Sequence, residues 1–166
     1  ALVLDWQRLA VLTEKPAPEA LLGAAAPTSV RIAVAKDEAF CFTYAETLDA
    51  LREAGAEPVF FSPVRDAVLP ENIGGLYLPG GYPELYAKTL SENKTMLASI
   101  RQAVQAGLPT AAECGGFLYL GRSLEDADGK AWPMADVLPG DGIRVGRLVR
   151  FGYAEMTAKA DSMLFC

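Results

Sequence analysis

From Val30 onward, short apolar runs alternate with stretches whose apolar positions recur at helical spacing, the pattern of βαβ units around a mostly parallel sheet. Val30-Arg31-Ile32-Ala33-Val34-Ala35 reads as a buried strand. Tyr44, Leu48, Leu51 and Ala54 then mark a helix that stops at Gly55, where a left-handed residue ends it. Pro58-Val59-Phe60-Phe61 makes a second strand, and Gly75-Leu76-Tyr77-Leu78 a third, ended by Pro79-Gly80-Gly81. Met96, Leu97, Ile100 and Val104 outline a helix closing at Gly107. Thr110-Ala111-Ala112-Glu113 is a fourth strand running into Cys114, and Gly115 to Leu120 is the helix that leaves it. Beyond the turn signal Asp128-Gly129, strand-like text punctuated by Gly and Pro continues to Tyr153-Ala154-Glu155-Met156-Thr157. The predicted fold is α/β.

Residues 1–29 have a different texture. Lys15-Pro16-Ala17-Pro18 and Gly23-Ala24-Ala25-Ala26-Pro27-Thr28-Ser29 are small and Pro-punctuated, so the segment reads as a linker or arm. Its opening Leu2, Val3, Leu4, Trp6 and Leu9 are apolar enough to pack against a neighbouring domain. No internal repeat or low-complexity segment interrupts the rest.

The 166 residues are 51% hydrophobic and 22% charged, which fits one globular domain plus a tail. A net charge of −6 argues against a nucleic-acid partner, because phosphate binding needs clustered Lys and Arg. No apolar run approaches the ~20 residues of a membrane span, and no signal-peptide layout opens the chain, so a soluble cytoplasmic protein without a membrane partner is expected. Cys41, Cys114 and Cys166 are an odd set without disulfide spacing, as suits a reducing compartment. There is no histidine at all. Chemistry that depends on an imidazole is therefore incomplete in this chain, and no metal site is expected.

Cys114 is the candidate nucleophile. A strand that turns sharply into a helix presents a side chain at its tip, and Gly115-Gly116 let the backbone pass close by, as in the serine elbow of hydrolases. The dipole of the following helix favours a thiolate. The bland alternative is a small hydrophobe at a tight turn. Cys41 stands in Phe40-Cys41-Phe42, where aromatic neighbours point to packing, and Cys166 has no context. In Leu78-Pro79-Gly80-Gly81-Tyr82-Pro83-Glu84, a glycine pair after a strand can aim backbone N–H groups at a developing oxyanion, or can simply be a turn. Both motifs fall at carboxyl ends of strands, the edge where open α/β sheets bind ligands. Strand alternation points Glu113 away from Cys114, as a structural residue bonded to the elbow backbone.

Taken together, Ala35-Lys36-Asp37-Glu38-Ala39-Phe40-Cys41-Phe42, Leu76-Tyr77-Leu78-Pro79-Gly80-Gly81-Tyr82-Pro83-Glu84-Leu85, Ala112-Glu113-Cys114-Gly115-Gly116-Phe117-Leu118-Tyr119-Leu120 and Arg150-Phe151-Gly152-Tyr153 resemble the class I glutamine amidotransferase domain. The resemblance runs over about residues 30–160 and is most specific for the C-terminal domain of the cobyrinate a,c-diamide synthase family. It implies a flavodoxin-like three-layer sandwich and a glutaminase whose cysteine, here Cys114, forms a glutamyl thioester and releases ammonia. By motif position it implies Gly81 and Gly115, with Gly80 beside them, as oxyanion and substrate-binding groups. The ammonia would amidate the a and c carboxylates of a corrin precursor in cobalamin biosynthesis, a substrate bound mainly elsewhere in the full-length enzyme, with ATP and magnesium in an N-terminal domain.

On this resemblance residues 1–29 are the linker and end of that missing ATP-binding domain, and residues 30–166 are the amidotransferase domain, incomplete at its C-terminus. Family members carry their catalytic histidine in a segment like His-Glu-Phe-His, and this chain stops before such a segment. No G-x-x-x-x-G-K-[ST] phosphate loop occurs, so no cofactor is expected within the fragment. The fragment alone is expected to be inactive. The alternatives are a degenerate amidotransferase-like domain with a regulatory or docking role, and a cobyrate synthase-type amidotransferase.

Overall fold

A computed structural model describes residues 29–146 and residue 155. The N-terminal arm up to residue 28, the motif Arg150-Phe151-Gly152-Tyr153 and Cys166 lie outside the described residues.

The first strand, β1 (Val30–Ala35), is exposed at its start and fully buried at Ala33, Val34 and Ala35. Such an apolar run suits a central strand covered on both faces. Helix α1 (Ala45–Glu53) buries Leu48 and ends as predicted, with Gly55 at φ 83°. Strand β2 (Ala56–Phe61) begins two residues before the predicted Pro58 and pairs in parallel with β1, from Val30 opposite Ala56 to Ala35 opposite Phe61. Its proline is tolerated because β2 is the edge of the described sheet, where one missing donor costs no ladder bond. Strand β3 (Gly75–Leu78) crosses to the other side of β1, and β4 (Thr110–Ala112) pairs beyond it.

The resulting order, β2-β1-β3-β4, is parallel throughout and has the doubly wound, flavodoxin-like arrangement. Strand order reverses between β1 and β3. At their carboxyl ends, the loop after β1 and the glycine turn after β3 face each other across that switch point.

Alternation along the strands sorts two layers of side chains. Ala33, Ala35, Leu76 and Leu78 join the main core with Leu90, Met96 and Ile100. On the other face, Ile32 and Tyr77 line a groove of about 560 Å³ with Tyr44, Thr47 and Leu51 of the α1 region, so helices lie on both faces of the sheet. Helix α3 (Lys94–Gln105) follows its predicted stripe, with Met96, Leu97 and Ile100 buried, Asn93 capping the Met96 amide and Gly107 beyond its end at φ 92°.

Two features go beyond the predicted elements. Pro83–Tyr86 forms a 3₁₀ turn that leads into α2 (Ala87–Glu92), a helix too short to show a periodic stripe; Pro at the start suits helix entry, and Ala87 and Leu90 supply the buried face. After α4 (Gly115–Tyr119), a second, smaller sheet forms from β5 (Ser123–Glu125), β6 (Ala131–Pro133) and β7 (Asp141–Gly142) in the order β6-β5-β7. The strand-like text expected beyond the turn at Asp128-Gly129 takes in β6 and β7, whereas β5 lies before that turn and was not foreseen. Among the described residues no helix is long and apolar enough to cross a membrane.

Tyr119, fully buried at the end of α4, packs against Phe40 with ring centroids 5.3 Å apart. Its hydroxyl has no hydrogen-bond partner among the described residues, and burial, with the nearby charge of Asp37, pushes its phenol well above the usual range. A buried orphan hydroxyl costs about 1 kcal/mol or more. Tyr119→Phe keeps the ring and deletes the orphan, so thermal unfolding should show a gain of roughly 1 kcal/mol. A loss of stability would mean that the hydroxyl is satisfied.

Candidate active site

Cys114 sits at the turn between β4 and α4 with φ 48° and ψ −113°. This is close to the first central position of a type II′ turn, about +60° and −120°, which normally takes glycine. A side chain held there stores roughly 1–3 kcal/mol of strain, and it persists only where the surroundings over-determine it. They do so here: the Glu113 amide donates to Leu78 O (3.1 Å) and the Gly116 amide to Pro79 O (3.0 Å), pinning both flanks of the cysteine to the end of β3. A Cβ on Gly116 would stand 2.1 Å from Leu78 O, so only glycine permits the elbow to lie this close to β3. The thiol is exposed.

The glycine turn after β3 is held from the opposite side by the loop that follows β1. The Phe42 amide donates to Gly80 O (3.1 Å) and the Tyr82 amide to Ala39 O (3.0 Å). A Cβ on Gly81 would meet Ala39 O at 2.1 Å. Between these bonds, the Gly81 amide has no acceptor among the described residues, and neither has the Gly115 amide in the first turn of α4. The two are neighbours, since a Cβ on Gly115 would lie 3.2 Å from Gly81 N. Gly80 completes the cluster: a Cβ on it would be 3.4 Å from Cys114 Cβ. All four site residues expected from the sequence, Gly80, Gly81, Cys114 and Gly115, are therefore brought together, with two unengaged N–H donors beside a strained, exposed thiol.

The surroundings add residues that motif reading did not single out. Phe42 packs over Gly80 and meets Tyr82 edge to face at 5.2 Å, forming an aromatic wall at the thiol's edge of the sheet. Pro83 closes the other side, 2.7 Å from the Gly115 Cβ position. The only prior signal for these residues was their place within the motifs.

Two expectations need correction. Cys41 is not packed by its aromatic neighbours but exposed, because Phe40 turns inward onto Tyr119 and Phe42 turns onto Gly80, leaving the residue between them facing out. Glu113 does point away from the core, into the groove, but its carboxylate accepts the Tyr77 hydroxyl rather than bonding the elbow backbone. Burial, reinforced by that carboxylate, pushes the Tyr77 phenol well above the usual range.

Residues 31–162 match the profile of the CobB/CobQ-like glutamine amidotransferase domain. Similar proteins include the cobyrinate a,c-diamide synthases of Dehalococcoides mccartyi, 43% identical over 92% of this chain and 33% of the relative, and of Caldanaerobacter subterraneus, 46% identical over 82% and 30%. That of Salmonella typhimurium is 43% identical over 94% of this chain and 34% of its own length. The chain thus spans about a third of the length of the curated relatives it matches.

Proposed function

Because the chain belongs to the family of CobB/CobQ-like glutamine amidotransferase domains, we propose that it hydrolyses glutamine through a thioester on Cys114 and delivers the ammonia to a synthetase active site elsewhere in the complete polypeptide. The observation that carries this reading is the strained Cys114 set beside the unengaged amides of Gly81 and Gly115. The thiolate attacks the carbonyl carbon of the glutamine side-chain amide, and the oxygen that becomes negative accepts from the two N–H groups. Collapse of the tetrahedral species, with a proton delivered to the leaving nitrogen, expels ammonia and leaves a glutamyl thioester; water then releases glutamate and restores the thiol. Donors fixed in place before reaction need no reorganisation, and removing one costs about a hundredfold to a thousandfold in related oxyanion holes.

The acceptor we infer is a carboxylate pair of a corrin precursor, supported by the naming of the relatives as cobyrinate a,c-diamide synthases. Carboxylate activation by ATP and magnesium belongs outside these residues, which contain no G-x-x-x-x-G-K-[ST] phosphate loop. Amide-labelled glutamine supplied to the complete polypeptide, with ATP and a corrin acid, should place its label in the corrin product. Label appearing only in free ammonia would remove the acceptor assignment.

Proton transfer sets a further expectation. With no histidine among its 166 residues, the chain offers no imidazole base. On its own it should show negligible glutamine turnover, while the exposed Cys114 still alkylates with iodoacetamide. Substantial turnover by this chain, abolished by Cys114→Ala, would show that some other group does the work of the base.

A further inference from the structure

The carboxylate of Asp37, just past the end of β1, is half-buried and fully engaged. Oδ1 accepts from the amides of Ala39 (2.9 Å) and Phe40 (3.1 Å), and Oδ2 from the Ser62 hydroxyl (2.8 Å) and the Val64 amide (3.0 Å). The first pair is a local turn. The second is not, since it ties the loop after β1 to the loop after β2 and fixes the loop's position relative to the sheet.

What that loop carries is the far side of the glycine turn. Ala39 O, two residues beyond Asp37, receives the Tyr82 amide and lies where a Cβ on Gly81 would be; Phe42, further along, holds Gly80 O. The position of the Gly81 peptide is therefore set by a relay from Asp37 through Ala39. We infer that Asp37 is a positioning residue for glutamine hydrolysis: by clamping the loops after β1 and β2 it fixes Ala39 O, and so aims the Gly81 N–H at the oxygen that becomes negative beside Cys114. The inference rests on the role proposed above for Gly81.

Asp37→Asn in the complete polypeptide keeps the size and the Oδ1 acceptor but sets an NH₂ group against the Ser62 and Val64 donors. The kcat for glutamine hydrolysis should fall about tenfold to a hundredfold, as expected for a displaced rather than deleted donor. Glutamine KM should change by less than about threefold, because the donor acts mainly on the charged transition state. Alkylation of Cys114 by iodoacetamide should stay within about twofold, since displacement of iodide develops no carbonyl oxyanion. Equal losses in kcat and alkylation, or a kcat within about twofold of the parent, would overturn the inference. Ser62→Ala, which removes one of the four bonds, should lower kcat alone by about twofold to fivefold and decides the matter if Asp37→Asn does not fold; an unchanged kcat overturns the relay. Cys114→Ala, run in parallel, separates the two levels. Hydrolysis that survives it sinks the proposed function itself, whereas hydrolysis lost in Cys114→Ala but intact in Asp37→Asn sinks only the role of Asp37.

Discussion

Replacing Cys114 by alanine or glycine in the complete polypeptide is expected to lower glutamine hydrolysis by about four orders of magnitude or more, the usual consequence of deleting a covalent nucleophile. The two variants should then part company in stability. Alanine inherits the strained backbone at φ 48° and ψ −113°, while glycine adopts that conformation freely. Cys114→Gly should therefore unfold at a higher temperature than Cys114→Ala, by about 1–2 kcal/mol, and should match or exceed the parent. Loss of function with gain of stability is the signature of strain held for chemistry. A cysteine serving as a packed hydrophobe would give the opposite result, with glycine the least stable of the three. Steady-state glutaminase assays and thermal unfolding on the same preparations decide between them.

Gly81→Ala is expected to have the second largest effect. The added methyl group would stand 2.1 Å from Ala39 O, which is itself held by the Tyr82 amide, so neither side can give way cheaply. The turn must move, and with it the amide beside Cys114. Loss of a well-placed oxyanion donor predicts a fall in kcat of about a hundredfold to a thousandfold. Forcing a methyl group into a closed contact predicts a stability cost of about 1–3 kcal/mol. Iodoacetamide should still label Cys114. Gly140→Ala is the control, because nothing lies within 4 Å of its Cβ position and it should leave both activity and stability close to the parent. Parent-like turnover in Gly81→Ala would remove Gly81 from the oxyanion site.

Some of the architecture was legible in the chain itself. The runs at Val30–Ala35 and Gly75–Leu78 became strands with those bounds, and Gly55 and Gly107 ended their helices at positive φ. These are local signals: a continuous apolar run, a periodic stripe, a residue without a Cβ. Helix α2 escaped because six residues give less than two turns of periodicity, and β5 escaped because its three residues contain one buried position, Leu124.

The site divides along the same line. Glu113-Cys114-Gly115-Gly116 carried its own evidence, since a nucleophile presented at a strand-to-helix turn needs small neighbours within a few residues of itself. That Gly81 meets Gly115, that Ala39 O fills the space of a Gly81 side chain, and that Asp37 reaches Ser62 follow from the order β2-β1-β3-β4. Cys41 faces outward, despite two aromatic neighbours, for the same reason. Strand order is decided by which apolar faces can be buried together across the whole chain, and hydrogen bonds between loops form only after that choice. Local pattern in the chain was enough to locate the four strands of the main sheet, the glycine-ended helices and the elbow that presents Cys114. The tertiary structure alone decided which backbone donors face it, because their approach depends on contacts between segments far apart in the chain, where local chemistry has no reach.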